Sequence, residues 1–153
     1  MDKPKLIEKL NEAVSLELGG LLQYNQYSHV LMGEARRVWQ EFFEESADES
    51  FQHAKKFAAK VVSLGGTPTV EPEAVRQTTD IVEMLQFSLE HERKAVQTYT
   101  AALAFCEDNA GYRNLLEDQI ESEQDDCEEI EKYLNQVKKT VAESHGKRAT
   151  KSA

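Results

Sequence analysis

Residues that break helices are scarce in this chain and stand in only a few places. The 153 residues include 7 glycines and 3 prolines, and two of the prolines, Pro68 and Pro72, lie together in one stretch. Glycine occurs at Gly33 and at the pair Gly65 and Gly66, where each position can end a helix. The segments between these breakers therefore have room for long, uninterrupted helices.

Apolar residues recur at helical spacing in four of these segments. The predicted helices cover, to within a few residues, positions 5–32, 35–64, 79–107 and 110–143. The final segment, 144–153, is small, polar and basic, and we expect this tail to be disordered. The chain is therefore predicted to be all-α, with a single domain over residues 1–143.

The lengths of the connections predict how the four helices are arranged. Short links join the first helix to the second and the third to the fourth, so each pair is expected to form an antiparallel hairpin. The link between the second and third helices, residues 67–78, is longer and contains two prolines. A link of that length can run the full height of a bundle and leave these two helices parallel. The pattern predicts a four-helix bundle with one long crossover.

Polar residues interrupt the apolar stripe near the middle of every predicted helix. They are, in chain order, Glu17, Ser46, Ser50, His53, Glu92, Glu123 and Asp126. At a rise of about 1.5 Å per residue, these interruptions lie within about one helical turn of the same height. A buried ionised carboxylate is costly without a partner, and no lysine or arginine falls in the inward positions at that level. Two divalent cations would balance the four carboxylates, and oxygen with imidazole suits iron or manganese, with zinc also possible.

The overall charge and the hydropathy pattern exclude several classes of partner. The net charge of -10 argues against a nucleic-acid partner, because phosphate binding needs a basic face. No stretch approaches the roughly 18 apolar residues of a membrane span, so no membrane partner is expected. The first residues lack the apolar run of a signal peptide. We therefore expect a cytoplasmic location.

Three segments make the chain resemble a known family. They are NEAVSLELGGLLQYNQY, SADESFQHAKKFAAKVVSLGGTP and DIVEMLQFSLEHERKAVQTYTAAL. With these segments the chain resembles the ferritin family, and within it the bacterioferritins, from about residue 6 to about residue 140. The resemblance implies a ferritin-like four-helix bundle with its long crossover between the second and third helices. It also implies a di-iron centre with one Glu from each of the first and third helices and a Glu-x-x-His pair from each of the others.

The resemblance assigns roles to four residues of this chain. Glu17 and Glu92 match the two terminal carboxylates, His53 matches the histidine of the second helix, and Glu123 matches the bridging carboxylate of the fourth. These four are the expected catalytic and metal-binding residues. The expected cofactor is two iron ions per subunit.

Two ligand positions and the haem position depart from the family pattern. Ser50 stands where the second helix should supply a bridging Glu, and Asp126 stands where the fourth should supply a histidine. Asp126 can still bind metal, and Glu49, one turn before His53, is a possible substitute for the missing bridge. We therefore expect an asymmetric site with slower oxidation. Phe51 replaces the haem-binding methionine, so no haem is expected.

The function implied by the resemblance is oxidation of Fe(II) by O2 or H2O2, the ferroxidase reaction, with possible iron storage. A homo-oligomer of at least two subunits is expected, whereas a 24-subunit cage stays open because the tail lacks a fifth-helix pattern. One alternative is a rubrerythrin-like peroxide scavenger, which would need an external electron donor because no CxxC module is present. Another is a non-catalytic metal-binding or interaction bundle with a degenerate ferroxidase site, which Ser50 and Asp126 favour.

Three further polar residues lie on the helices that carry the predicted core. Tyr24 lies two turns beyond Glu17 on the inward face, where it could hydrogen-bond a ligand or only fill the core. His29 and His91 fall outside the inward positions, and both are predicted to be surface residues.

Overall fold

The computed structural model describes residues 1–149 and consists of four helices. They are α1 (Lys3–Val30), α2 (Arg36–Ser63), α3 (Ile81–Leu103) and α4 (Ala110–Ala149). The predicted all-α four-helix bundle with one long crossover is confirmed. None of the helices found over residues 1–149 has the length and apolar character needed to cross a membrane.

Two of the helix ends differ from the sequence prediction by more than two residues. α4 continues to Ala149 instead of ending near Glu143, because no proline interrupts the segment that we expected to be a disordered tail. Residues 150–153 of that tail lie outside the described residues. α3 ends at Leu103, where a tight turn replaces the last helical turn: Asn109 N–H donates to the carbonyl of Cys106 at 2.8 Å.

Local sequence signals account for the helix ends. Asp2 caps α1, and Asp80 caps α3 by accepting a hydrogen bond from Glu83 N–H at 3.0 Å. Gly33 and Gly65 follow α1 and α2 with φ of 96° and 90°, a region that favours glycine because it has no Cβ.

The crossover between α2 and α3 is fastened along the length of α1. The carbonyl of Thr67 accepts a hydrogen bond from the side chain of Asn11 at 3.1 Å, and Glu73 N–H donates to the carbonyl of Ser15 at 2.8 Å. The hydroxyl of Tyr27 donates to the carbonyl of Arg76 at 2.7 Å. In these contacts the residue numbers rise together along α1 and along the crossover. The crossover therefore runs parallel to α1 and carries the chain back to the end of the bundle where α2 began, so α2 and α3 are parallel.

Two apolar clusters fill the bundle, one on each side of its middle. The first includes Leu6, Leu10, Phe57, Val61, Tyr99 and Leu116. The second includes Tyr24, Tyr27, Phe43, Met84, Leu85 and Ile130. Between them lies a layer of buried polar side chains contributed by all four helices. This layer of buried polar side chains is the candidate functional site.

Candidate metal centre

Three side chains from three helices bring potential ligand atoms together in this polar layer. One ligand atom each from Glu17, His53 and Glu123 lie within 4.8 Å of one another. Nδ1 of His53 is 3.0 Å from Oε1 of Glu123 and 3.6 Å from Oε1 of Glu17. Both carboxylates are only 2% exposed. The sequence places Glu17 on α1, His53 on α2 and Glu123 on α4, and the bundle brings them to one point.

Glu92 supplies the α3 carboxylate of the same layer and is 8% exposed. Its Oε1 accepts a hydrogen bond from the hydroxyl of Tyr24. Burial, followed by the nearby charges of Glu123 and Glu17, raises the pKa of Glu92 well above its usual range. Burial and the neighbouring carboxylates thus favour the neutral form of Glu92 over the charged form.

The charge balance of the layer is incomplete. Burial alone would lower the pKa of His53, but the carboxylates of Glu123 and Glu17 outweigh it and raise that pKa to about 10. Oε1 of Glu123 is closed to solvent, and Nδ1 of His53 lies 3.0 Å away but makes no regular hydrogen bond with it. No lysine or arginine within the described residues forms an ion pair with Glu17, Glu92 or Glu123. A buried acceptor without a donor is the atom that a cation would satisfy.

Asp126 and Glu49, the two additional ligand candidates, lie at the edge of this group. Asp126 is half-buried in the cavity wall, and burial followed by the charges of Glu49 and Glu123 raises its pKa to about 7. Glu49 is about half exposed, with its Oε1 3.9 Å from Nε2 of His53. That nitrogen is turned away from Glu17 and Glu123. Neither Asp126 nor Glu49 belongs to the tight three-residue cluster.

The residues at the two altered family positions on α2 differ in their surroundings. Ser50 is buried and lines the cavity beside His53, where its short side chain leaves space. Phe51 lies one residue further on and is 42% exposed. Ser46, also predicted to point inward, is only partly buried and donates its hydroxyl to the carbonyl of Phe42 at 2.9 Å.

Three residues of the centre were not recognised as such from the sequence. Tyr99 stands at an apolar position of the helical period of α3, yet its hydroxyl donates a hydrogen bond to Oε1 of Glu17. Its spacing of seven residues from Glu92 equals that of Tyr24 from Glu17, and this repeat was the available signal. Gln119 is 3% exposed, with its amide nitrogen 3.0 Å from Nε2 of His53. Its position one helical turn before Glu123 indicates only weakly that Gln119 belongs to the polar layer.

The third is His91, which is not the surface residue that we predicted. Its Nε2 is closed to solvent and has no hydrogen-bond partner among residues 1–149, and its ring packs edge-on against Tyr24 with centroids 5.6 Å apart. Burial lowers the pKa of His91 to about 4. It fits because Gly20 has no side chain: a Cβ there would lie 2.5 Å from Nε2 of His91 and 2.8 Å from Oγ of Ser50. His29 is exposed, as predicted.

An acidic cleft leads from the surface to the centre. It opens along α2 and α4 and is lined by Glu41, Glu45, Glu49, Asp126 and Glu129. Glu49, Asp126 and Glu129 also line the inner cavity that contains His53 and Glu123, so the cleft and the cavity share part of their walls. Clustered carboxylates raise the local concentration of cations.

The helices and the buried cluster together define a four-helix bundle with a candidate carboxylate–histidine metal site. The family model described as a ferritin-like domain matches residues 7–140, and the chain belongs to the ferritin family. The bacterioferritin of Brucella melitensis is 28% identical over 151 residues, covering 94% of this chain and 91% of the relative.

Solved structures give the same fold. A ferritin-like, diiron-carboxylate protein from Bacillus anthracis superposes with a TM-score of 0.84 at 32% identity, covering 88% of this chain and 98% of the other. A dodecameric thioferritin from Bacteroides fragilis also reaches a TM-score of 0.84, at 24% identity over 94% of this chain and 92% of the other. The resemblance to ferritins and bacterioferritins predicted from the sequence is confirmed.

Proposed function

We propose that this chain binds two iron ions at the buried centre and oxidises Fe(II) with O2 or H2O2. One observation carries the proposal: the ligand atoms of Glu17, His53 and Glu123 lie within 4.8 Å of one another in a layer with too few positive charges. Oxygen and imidazole ligands suit iron, and they also suit manganese and zinc. Membership of the ferritin family favours iron among these metals.

The residues fit such an ion by their chemistry. Oε1 of Glu123 makes no regular hydrogen bond with the described residues, and Nδ1 of His53 lies 3.0 Å from it and faces the same space. We assign Glu17, His53 and Glu123 to a tight position. Glu92, with Asp126 beside it in the cavity wall, would hold a second ion more weakly. Glu49 is the residue available to replace the bridging carboxylate that Ser50 does not supply.

The reaction is the transfer of one electron from each of two Fe(II) ions to a shared oxidant. With O2, two electrons and two protons give H2O2; with H2O2, two electrons and two protons give two molecules of water. The part played by this chain is to hold the ions near each other, to balance their charge with carboxylates and to limit the access of water. The acidic cleft lined by Glu49 and Asp126 supplies the route by which Fe(II) reaches the centre.

Anaerobic titration with Fe(II), followed by addition of O2 or H2O2, tests the proposal. We expect one tight and one weaker equivalent per subunit and a rise in ferric absorbance when the oxidant is added. Two equal, tight equivalents would contradict the asymmetry, and no binding would contradict the site. A faster reaction with H2O2 than with O2 would identify peroxide as the preferred oxidant.

The second candidate is a metal-binding or interaction bundle without catalytic activity. It is favoured by the position of Ser50, which lines the cavity where a bridging carboxylate is expected, and by the placement of Asp126 outside the tight cluster. In that case purified protein would be stabilised by Zn(II) or Fe(II), or would bind neither, and Fe(II) would not be oxidised faster than in buffer.

Assembly, storage, haem content and location are further parts of the proposal. Large apolar side chains exposed on α1 and α2, among them Leu22, Phe51 and Val62, support a homo-oligomer of at least two chains. Native mass measurement with and without an iron load would separate a dimer from a cage that stores mineral. Absence of haem, suggested by Phe51, is tested by the absorption spectrum of the purified protein. A cytoplasmic location stays a prediction.

A further inference from the structure

Gln119 is a buried amide that contacts the outer nitrogen of the central histidine. It lies on α4, is 3% exposed, and places its amide nitrogen 3.0 Å from Nε2 of His53. Its amide oxygen accepts a hydrogen bond from the ammonium group of Lys56, which lies on α2 three residues after His53. Gln119 is therefore held between a lysine and the ring that faces Glu17 and Glu123.

The proton positions follow from what each group can donate. An ammonium group has only donors, so the oxygen of the Gln119 amide faces Lys56 and its N–H groups face His53. In this orientation the amide offers Nε2 of His53 donors and no acceptor, so it does not suit a ring that carries a hydrogen on that nitrogen. A neutral ring bound to metal through Nδ1 is such a ring, because its one hydrogen lies on Nε2 and needs an acceptor there.

We propose that Gln119 is the positioning residue that directs Nδ1 of His53 to the metal, and that Lys56 competes for its amide oxygen. The inference rests on the proposed metal-binding function. When an ion is bound, the amide of Gln119 turns so that its oxygen accepts from Nε2–H, and the exposed end of Lys56 moves away. Nδ1 gives up its hydrogen to solvent and Nε2 keeps its own, so the bound ring is neutral.

The chemistry of residue 119 then sets the affinity of the centre. Gln119→Leu leaves Nε2–H without an acceptor in a buried place, and loss of such an outer partner typically weakens metal binding by about 10- to 100-fold. Gln119→Glu offers only acceptors, which suit both Nε2–H and the ammonium group of Lys56. We expect that variant to bind metal at least as tightly as the unchanged protein.

The test uses the full chain loaded with Zn(II), which is diamagnetic and allows NMR of the histidine rings. Long-range 1H–15N spectra report which nitrogen carries the hydrogen and which carries the metal, and competition with a chromophoric chelator gives the affinity. We expect metal on Nδ1 and hydrogen on Nε2 in the unchanged protein, a mixture with weakened binding in Gln119→Leu, and recovery in Gln119→Glu. Gln136→Leu, at an exposed site on the same helix, is the matched control.

Substitution of Lys56 tests whether its ammonium group competes for the amide oxygen of Gln119 or acts only through its charge. Lys56→Met is expected to tighten Zn(II) binding more than Lys55→Met, which removes an equal charge from a neighbouring position whose ammonium group lies over Phe51. Unchanged affinity and unchanged ring spectra in Gln119→Leu would overturn the role of Gln119 while leaving the metal site intact. Failure of the unchanged protein to bind Zn(II), Co(II) or Fe(II) would overturn both this role and the proposed function.

Discussion

The hydroxyl of Tyr99 on α3 donates a hydrogen bond to Glu17 on α1, 82 positions away in the sequence. The reverse contact also exists, because Tyr24 on α1 donates to Glu92 on α3. In each helix the tyrosine follows the glutamate by seven residues, which is about two turns. In antiparallel helices this equal spacing places each phenol opposite the carboxylate of the other helix. The two carboxylates are thus oriented by reciprocal tyrosines.

Removal of the Tyr99 hydroxyl should destabilise the metal-free protein. In Tyr99→Phe the buried carboxylate of Glu17 loses its donor, and loss of a hydrogen bond to a charged group costs about 1.5–3 kcal/mol. Urea unfolding with metal removed gives the free energy of unfolding. Tyr112→Phe removes a hydroxyl near the start of α4 and serves as the control. Equal stabilities of the two variants would show that the Tyr99 contact contributes little.

Substitution of Glu123 should separate stability from metal binding. Glu123→Gln removes one of the buried charges, so the metal-free protein should unfold at the same temperature as the unchanged protein or at a higher one. The stabilisation by Zn(II), about 2.7 kcal/mol at 100 times the dissociation constant, should be lost because the central ligand is neutral. Thermal unfolding with and without Zn(II) measures both effects. Exposed Glu121→Gln should retain the full stabilisation.

The acidic cleft should govern how fast metal enters. Glu49→Gln removes a carboxylate at the junction between cleft and cavity, and the rate of Co(II) or Fe(II) uptake should fall several-fold, most strongly at low salt. Stopped-flow absorbance gives the rate. Glu44→Gln, on the same helix and outside the residues that line the cleft, controls for net charge. Equal rates in both variants would place the route elsewhere.

His91 should make the folded protein sensitive to acid. Its pKa falls from 6.5 to about 4 on folding because burial disfavours the charged ring. Between these values the unfolded chain binds more protons, so this contribution to stability is complete above pH 6.5 and is lost as the pH falls towards 4. The loss approaches about 3 kcal/mol at 1.36 kcal/mol per pKa unit.

His91→Gln keeps a polar side chain but cannot ionise, so it isolates this effect. The difference in the free energy of unfolding between the variant and the unchanged protein should shift in favour of the variant as the pH is lowered from 7 to 5. Buried carboxylates such as Glu92 act in the opposite direction, but they are common to both proteins and cancel in the difference. A difference independent of pH would contradict the enclosed position of the His91 ring nitrogen.

The close approach at Gly20 should be intolerant of any side chain. A Cβ there would lie 2.5 Å from Nε2 of His91 and 2.8 Å from Oγ of Ser50, so Gly20→Ala should cost about 1–3 kcal/mol through overpacking. Gly111→Ala is the matched control, because its nearest atom is 3.5 Å away and alanine favours a helix by about 1 kcal/mol. Urea unfolding should move in opposite directions for the two variants.

The sequence by itself determined the four helices, their pairing and the level of the polar layer. These properties follow from local signals: glycine and proline placement, capping by Asp2 and Asp80, and the helical period of the apolar residues. The inward positions of Glu17, His53 and Glu123 follow from the same period.

Only the tertiary structure decided how these residues are partnered. The turn of His53 that directs Nδ1 to the carboxylates, the contact with Gln119 and the burial of His91 depend on the rotation of each helix about its axis and on side-chain rotamers. The helical period predicts which side of a helix a residue occupies only to within a wide angle. A hydrogen bond, in contrast, requires the two atoms to be placed to within a few tenths of an ångström. Packing between helices distant in the sequence supplies that accuracy, and for His91 the deciding feature is the missing side chain of Gly20 on another helix.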